Sequence, residues 1–174
     1  MADPESVQVY ALLGSLNVLE HIHIAALDLR QLGVDEVVSV PITVRNCQIE
    51  SLDASFLTFR ESVVFDDCHF GSVFCVSTYF MGGARFTRCT FDGHVTFECG
   101  GHNQPPAAFS LEECSFHEFV NFFDCWYPGP VVVAGCRFHA GSNLLGNVGQ
   151  PFEASFAVPP MVVDTIDAID LNGG

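Results

Sequence analysis

Cysteine is the residue type in this chain with the most obvious capacity for chemistry. There are 8 cysteines, and clusters of cysteine in an intracellular protein suggest metal binding or catalysis before disulfides. Five of them recur at nearly even spacing: Cys47, Cys68, Cys89, Cys114 and Cys136. A metal site needs ligands that converge on one point, whereas even spacing places one cysteine in each repeat of a larger pattern. We therefore expect a buried ladder of small apolar side chains and no metal site.

Paired carboxylates give the best argument for an enzyme. Asp66–Asp67 and Glu112–Glu113 occupy equivalent positions two repeats apart, which would separate them by about 10 Å in a stacked fold. Two carboxyl groups about 6.5–9.5 Å apart could hydrolyse a glycosidic bond with inversion. The intervening repeat carries Thr87 and Arg88 at this position, and nothing predicts a concave cleft. We therefore expect no catalytic residues, and a carbohydrate-active β-helix enzyme is the alternative.

The histidines, and the cysteines outside the evenly spaced set, do not suggest a metal or catalytic site. The chain has 7 histidines, of which His69 and His117 are expected to be ordinary surface residues. Cys99 and Cys125 fall in two predicted loops, where a disulfide is the alternative to two free thiols. No glycine-rich phosphate-binding motif is evident, so no cofactor is expected.

These residues must be positioned by a repeating fold, because apolar residues recur about every five positions. In the stretch ARFTRCTFDGHVTF, Phe86, Phe91 and Phe97 each follow a small or branched residue by two positions. Neither the helical period of about 3.6 residues nor the strand period of about 2 explains this spacing. The unit consists of two apolar residues separated by one residue of any type. It first occurs at Val7 and repeats along the chain with few insertions.

A second, longer period groups four of these units into one coil. The pair Leu27/Leu29 recurs as Cys47/Ile49, Cys68/Phe70, Cys89/Phe91, Cys114/Phe116 and Cys136/Phe138. Four short strands with inward-pointing apolar residues make a four-sided solenoid, in which equivalent residues stack about 4.8 Å apart. The sequence therefore predicts an all-β solenoid of about eight coils, each of about 20–22 residues.

Cysteine and phenylalanine are predicted to fill the interior. The chain has 17 phenylalanines, and many occupy the centre of a unit. The predicted core ladder comprises Cys47, Cys68, Cys89, Cys114, Cys136, Phe65, Phe70, Phe86, Phe91, Phe97, Phe116, Phe122 and Phe138. Burial of each phenylalanine side chain stabilises the folded state by about 1.5–3 kcal/mol. These residues account for the fold, which leaves function to the residues that face outward.

Two consecutive units resemble a known repeat family. Residues 84–88 (ARFTR) and 89–93 (CTFDG) each have a small residue, a polar residue, a central phenylalanine and two further polar or small residues. This pattern resembles that of the pentapeptide-repeat proteins and, counting degenerate units, covers about four fifths of the chain. The resemblance implies a right-handed quadrilateral parallel β-helix. In the N-terminal half, Ile, Leu and Val replace the small residue.

Breaks in the period suggest how the chain is organised. Residues 1–6 are expected to form a tail and residues 7–146 the β-helix. Glycine and proline at 98–108 and 123–130 indicate loops. Both loops replace the fourth side of consecutive coils, and so they should lie side by side. Residues 147–174 are expected to form a last irregular coil and a cap or tail, with a short helix as the alternative.

Charge excludes several classes of function. The 21 Asp and Glu residues outnumber the 6 basic residues, for a net charge of −15, and such a surface repels nucleic acid and anionic membranes. No apolar run is long enough to cross a membrane and no secretory signal is evident, so a cytoplasmic protein is expected. The acidity suits a basic or DNA-binding protein partner, with solubility as the alternative explanation.

The resemblance and the charge together lead to a prediction of function. The pentapeptide-repeat proteins that bind DNA gyrase are acidic rods that mimic duplex DNA, and a C-terminal segment makes them dimers. The resemblance therefore implies a non-enzymatic interaction module that binds a protein, in its most specific version as a DNA mimic toward DNA gyrase or another DNA-binding enzyme. It also implies a homodimer through the C-terminal end. A structural or assembly scaffold without DNA mimicry is the alternative.

Candidate partner-binding residues lie on the acidic corners and in the two loops. They are Asp66, Asp67, Asp92, Glu112, Glu113, Glu118, His102, Trp126 and Tyr127. Aromatic side chains on a rigid scaffold are typical interface anchors, and the alternative for Trp126 and Tyr127 is that both rings cover the rod. The fourth side has few acids, while Val38, Tyr79 and Met81 lie on or near it, so it is a candidate contact surface.

Overall fold

Parallel pairing between successive coils builds the whole molecule. The structure is a computed structural model that describes residues 4–173. One α-helix, α1 (Pro4–Leu16), precedes the strands, and one 3₁₀ helix covers Leu29–Leu32. The strands are β1 (Val18–Glu20), β2 (His23–Asp28), β3 (Val37–Val38), β4 (Ile42–Arg45), β5 (Gln48–Asp53), β6 (Thr58–Phe59), β7 (Val63–Asp66), β8 (His69–Phe74), β9 (Tyr79–Phe80), β10 (Ala84–Thr87), β11 (Thr90–Phe91), β12 (Val95–Thr96), β13 (Phe109–Glu112), β14 (Ser115–Phe116), β15 (Val120–Asn121), β16 (Trp126–Tyr127), β17 (Val131–Ala134), β18 (Arg137–Phe138), β19 (Ser155–Phe156) and β20 (Met161–Val163).

The strands form four sides, which we number in chain order within a coil. The first side is a seven-stranded sheet in the order β1-β4-β7-β10-β13-β17-β20. The second and third sides share one sheet, because β2, β5 and β8 each run across the corner between them. The fourth side is β3-β6-β9 followed by β16-β19, and single bridges through Gly101 join the two parts. The predicted parallel β-helix is confirmed, but it has about six turns and not eight.

Stacked aromatic rings fill the interior. Phe70, Phe91, Phe116 and Phe138 form one column whose ring centroids are 4.9, 4.4 and 4.7 Å apart and whose planes are within 10° of parallel. In-register pairing produces this column, since Phe91 is the partner of both Phe70 and Phe116. Every residue of the predicted core ladder is buried.

The cysteine ladder lies beside the aromatic columns as free thiols. The Sγ of Cys89 donates to the carbonyl of Phe65 in the preceding coil at 3.6 Å, and the Sγ of Cys114 donates to Phe86 at 3.4 Å. Hydrogen bonding to the neighbouring thiols, together with burial, raises the pKa of Cys89. All 8 cysteines are free, including the two for which a disulfide was an alternative. A buried neutral thiol is a small apolar group with little reactivity.

Two corners of each coil turn through a residue with positive φ. Between the first and second sides these residues are His21, Asn46, Asp67, Arg88, Glu113, Gly135 and Asp164, with φ between 50° and 64°. Between the third and fourth sides they are Phe56, Ser77, Cys99 and Asp124, with φ between 51° and 64°. Asn, Asp and Gly tolerate this region best, and a bulky residue there is an outlier.

The N-terminal end differs from the prediction. Residues 7–14, predicted as the first β units, belong to α1, which packs Leu13 into the core. The Tyr10 hydroxyl accepts a hydrogen bond from the Asp28 N–H at 2.8 Å, which ties the helix to the first coil. The helix covers the end of the solenoid that an open strand would otherwise expose. Of the predicted tail at 1–6, residues 4–6 are helical and residues 1–3 lie outside the described part.

The last segment forms an irregular coil. Strand β20 pairs with Val132–Ala134 of the first side, and Ile166 bridges to Arg137 of the second. The alternative of a short helix here is therefore wrong. No helix within residues 4–173 is long and apolar enough to cross a membrane.

Candidate interaction surface

The fourth side carries the exposed large apolar side chains of the first five coils. Between residues 17 and 147 these side chains are Val34, Val40, Phe56, Tyr79, Met81 and Trp126. All six lie on the fourth side or at one of its two corners, and the other three sides expose none of this size in the same range. Exposed apolar side chains that gather on one face make that face a candidate contact surface. We call Phe56, Tyr79, Met81 and Trp126 the fourth-side anchors.

Phe56 is the most unusual of the anchors. Its side chain is 57% exposed and its backbone has a φ of +64°. The equivalent corner residues of the next three coils are small or polar: Ser77, Cys99 and Asp124. A non-glycine residue in this region costs about 1–2 kcal/mol, and a ring that is mostly exposed gains little from burial. A residue that is unfavourable on both counts is a candidate for function.

Tyr79 and Trp126 lie in one outward column with Gly101 between them. The three residues are bridged in that order, and the two aromatic side chains are 38% and 39% exposed. Gly101 has a φ of +96°, and a Cβ there would lie 2.6 Å from the Trp126 carbonyl oxygen, so only glycine fits. The His102 ring lies 4.0 Å from the Tyr79 ring, centroid to centroid. Burial lowers the pKa of His102 and so favours its neutral form.

The two predicted loops lie side by side and are tied together. The fully buried Asn103 side chain donates to the carbonyls of Ala107 at 2.9 Å and Pro130 at 2.8 Å. Its Oδ1 accepts a hydrogen bond from the Gly129 N–H at 3.3 Å. The bond to Ala107 lies within the first segment, and those with Pro130 and Gly129 cross to the next coil, so both segments are fixed parts of the fourth side.

Tyr127 and Val38 do not belong to this surface. Tyr127 follows Trp126 in β16 and points inward, where it has no exposed surface and stacks on Phe156 at 5.5 Å. Val38 is likewise buried, as the partner of Phe59. Adjacent residues of a strand face opposite directions, so only one residue of each pair can be exposed. The prediction that Tyr127 contacts a partner is therefore wrong.

Arginine interrupts the acids at the corner between the first and second sides. The predicted residues here are Asp66, Asp67, Glu112 and Glu113. The Arg88 guanidinium, in the coil between the two pairs, forms an ion pair with Asp66. In the first two coils Arg45 pairs with Glu20 at 3.3 Å. This corner therefore alternates in charge and does not present a continuous row of carboxylates.

Histidine accompanies the acids at the corner between the second and third sides. Asp92 lies between two imidazoles, with Oδ2 2.6 Å from His69 Nε2 and Oδ1 3.1 Å from His117 Nδ1. These side chains are about half exposed, so the pairs contribute little to stability. Glu118 is exposed on the same corner and lines a shallow depression with His94. No group of three or more ligands in residues 4–173 is arranged to hold a metal ion.

The corner between the third and fourth sides carries acids next to the anchors. Asp124 lies two residues before Trp126, the first residue of β16. Glu98 lies in the preceding coil, directly before Cys99, which is the residue equivalent to Asp124. Burial and the negative charges of Asp124 and Glu98 raise the pKa of the Cys99 thiol between them. Among the described side chains, neither carboxylate forms an ion pair with arginine. Further acids at the two corners of this side are Asp35, Glu36 and Glu61.

Comparisons with models of protein families, with curated proteins and with solved structures return no match for this chain. The candidate surface is therefore defined by the chain's own geometry. It consists of the fourth-side anchors, the joined segments around Asn103, and the carboxylates at the border. Of the predicted site residues, it brings together His102 and Trp126 and leaves the six predicted corner acids on other corners.

Replacing Phe56 with asparagine is expected to stabilise the protein by about 0.5–1.5 kcal/mol, because asparagine tolerates positive φ and removes an exposed ring. Urea unfolding followed by circular dichroism measures the change. Ser77→Asn, at the equivalent corner of the next coil, is the matched control and should change stability by less than about 0.5 kcal/mol. A loss of stability in Phe56→Asn would show that the ring packs on the rod and is not held out for a partner.

Proposed function

We propose that the protein is a non-enzymatic interaction module that binds a protein partner through its fourth side. The observation that carries the proposal is the concentration of exposed large apolar side chains on that side alone between residues 17 and 147. Tryptophan and tyrosine are enriched among the residues that dominate binding energy at interfaces. The β-helix holds Tyr79 and Trp126 in a fixed column, so that little conformational entropy is lost on binding.

Site-specific photo-crosslinking tests this proposal. A photo-reactive residue replaces Met81 on the fourth side or, as a control, the outward-facing Thr90 on the second side. After irradiation in an extract of the source cells, the variant at Met81 should give a discrete covalent adduct with another protein, and the variant at Thr90 should not. Adducts of equal yield from both positions, or from Thr90 alone, would contradict the proposal.

DNA mimicry is a second candidate, supported by charge and shape. Duplex DNA carries one charge per about 1.7 Å. Six coils at about 4.8 Å make a rod of about 29 Å, which corresponds to about 17 charges. The net charge of this chain is −15. Arg45 and Arg88 interrupt one acidic corner, so this candidate has weaker geometric support than the fourth side.

If the protein mimics duplex DNA, it should inhibit supercoiling by a type II topoisomerase. Arg88→Glu makes the corner from Asp66 to Glu113 continuously acidic, and it should strengthen inhibition by at least threefold. Asp67→Lys with Glu113→Lys should weaken inhibition, and more so at low salt, because these charges are exposed. A supercoiling assay with purified DNA gyrase measures, for each variant, the protein concentration that gives half-inhibition. Absence of inhibition by the unaltered protein would remove this version and leave the fourth-side proposal intact.

A homodimer through the C-terminal end is also proposed. The last described coil exposes Met161, Val162, Val163 and Ile166, and β20 is the outermost strand of the first side. Apolar side chains beside an unpaired strand edge favour association with a second chain. Light scattering should show a dimer that Val162→Lys converts to a monomer. A monomer at all concentrations in the unaltered protein would contradict this proposal.

A further inference from the structure

We propose that the partner presents an extended, arginine-bearing segment to the fourth side, with one guanidinium over Tyr79, another over Trp126, and ion pairs to Glu98 and Asp124. This proposal rests on the proposed function of the fourth side and adds the chemistry of the partner. The segment is expected to adopt the polyproline II conformation.

The aromatic column favours a flat cation. The faces of tryptophan and tyrosine attract guanidinium groups, which are planar and less strongly hydrated than ammonium groups. Tyr79 and Trp126 are both exposed, and bridges through the Gly101 backbone hold their strands in one column. The His102 ring, 4.0 Å from the Tyr79 ring, adds aromatic surface, and burial lowers its pKa and so favours its uncharged form.

The carboxylates at this border are available for a partner. Glu98 and Asp124 form no ion pair with arginine within residues 4–173, whereas Asp66 and Glu20 at another corner do. One Glu98 oxygen accepts a hydrogen bond from the Asn121 side chain at 2.8 Å, which fixes the carboxylate in place. Arg60 is exposed on the same side in the second coil, so it restricts a cation-binding site to the coils from Tyr79 onward.

The spacing of the rings favours polyproline II over other extended forms. Tyr79 and Trp126 are two coils apart, or about 9.6 Å at the usual distance between strands. In a polyproline II segment, residues three apart lie on the same face and are separated by about 9.3 Å. Arginine at every third position would therefore place one guanidinium on each ring.

The intrinsic fluorescence of Trp126 reports directly on this site, because it is the only tryptophan in the chain. The probe is a synthetic peptide of three Arg-Pro-Pro repeats, titrated at physiological salt. Binding should change the Trp126 emission in a saturable way. A peptide of the same composition with its three arginines adjacent should bind at least fivefold more weakly, and a Gln-Pro-Pro peptide should not bind detectably.

Matched charge variants separate this site from general attraction to an acidic protein. Glu98→Gln with Asp124→Asn should weaken binding at least tenfold. Glu112→Gln with Glu113→Gln removes the same charge at another corner and should weaken it less than threefold. Equal losses in the two double variants would overturn the proposal. Equal binding of the Gln-Pro-Pro peptide or of the peptide with adjacent arginines would also overturn it, while adducts at Met81 would still support the fourth side as the binding surface.

Discussion

Phe91→Ala is expected to lower the free energy of unfolding by about 3–5 kcal/mol, the largest effect of any single change considered for this protein. Phe91 has no exposed surface and stacks between Phe70 at 4.9 Å and Phe116 at 4.4 Å. Hydrogen bonds between successive coils fix the surrounding backbone, so the cavity cannot close. Urea unfolding followed by circular dichroism measures the loss.

Phe123→Ala is the matched control for this prediction. Phe123 lies one residue after the buried Phe122, is only half-buried, and stacks on Phe152 outside the core at 4.3 Å. Its removal should cost less than about 1.5 kcal/mol. If Phe91→Ala cost no more than Phe123→Ala, the continuous aromatic column would not be the main source of stability.

Loss of three fourth-side anchors is expected to abolish partner binding. The triple variant Phe56→Asn, Tyr79→Ser and Trp126→Ser should weaken binding at least 100-fold, since each truncation of an interface anchor costs about 1–2 kcal/mol or more. The unfolding midpoint should fall only slightly, because these side chains are partly exposed and the relief of backbone strain in Phe56→Asn offsets part of the packing lost at Tyr79 and Trp126. Biolayer interferometry against the protein crosslinked at Met81 measures the affinity.

A triple variant on the first side controls for general surface effects. Val64→Ser, Arg85→Ser and Val132→Ser alter three outward positions of β7, β10 and β17 that lie in register. Binding should change by less than threefold. If the first-side variant lost as much affinity as the fourth-side variant, binding would depend on the whole rod and not on one side.

The sequence was sufficient to predict the four-sided coil. Each coil repeats the same two inward positions on each side, so Phe65, Phe86 and the residues that stack with them could be aligned from spacing alone. The same periodicity could also have identified the pairs Asp66–Arg88 and Asp92–His117. These residues are one coil apart, so they are neighbours once the coils are stacked.

The number of coils and the N-terminal helix were harder to predict. Val9, Leu12 and Leu13 fit a helical spacing as well as a five-residue unit, and a segment this short cannot distinguish the two. The prediction counted residues 7–14, which belong to α1, as part of the solenoid. It also counted residues of the long connection before Ser155 as part of a further coil. Both errors increased the predicted number of turns.

The surface was only partly predictable. Trp126 and Met81 could be placed on the fourth side, but the direction of Tyr127 depended on where β16 begins within an irregular segment. Phe56 was not predicted, because the candidate residues at the corners were all acids. The available signal was a phenylalanine immediately before the inward pair Leu57/Phe59, where a small or polar residue suits the left-handed backbone.

Oxidative footprinting tests the central claim most directly. Hydroxyl radicals modify exposed methionine and tryptophan, and the chain has Met81 and Trp126 on the fourth side and Met161 in the last coil, all exposed. When the crosslinked partner is added to the monomeric Val162→Lys variant, in which no second chain covers Met161, oxidation of Met81 and Trp126 should fall at least fivefold, while oxidation of Met161 should be unchanged. Protection of Met161 without protection of Met81 and Trp126 would show that the partner binds the end of the rod, and would contradict the assignment of the fourth side as the binding surface.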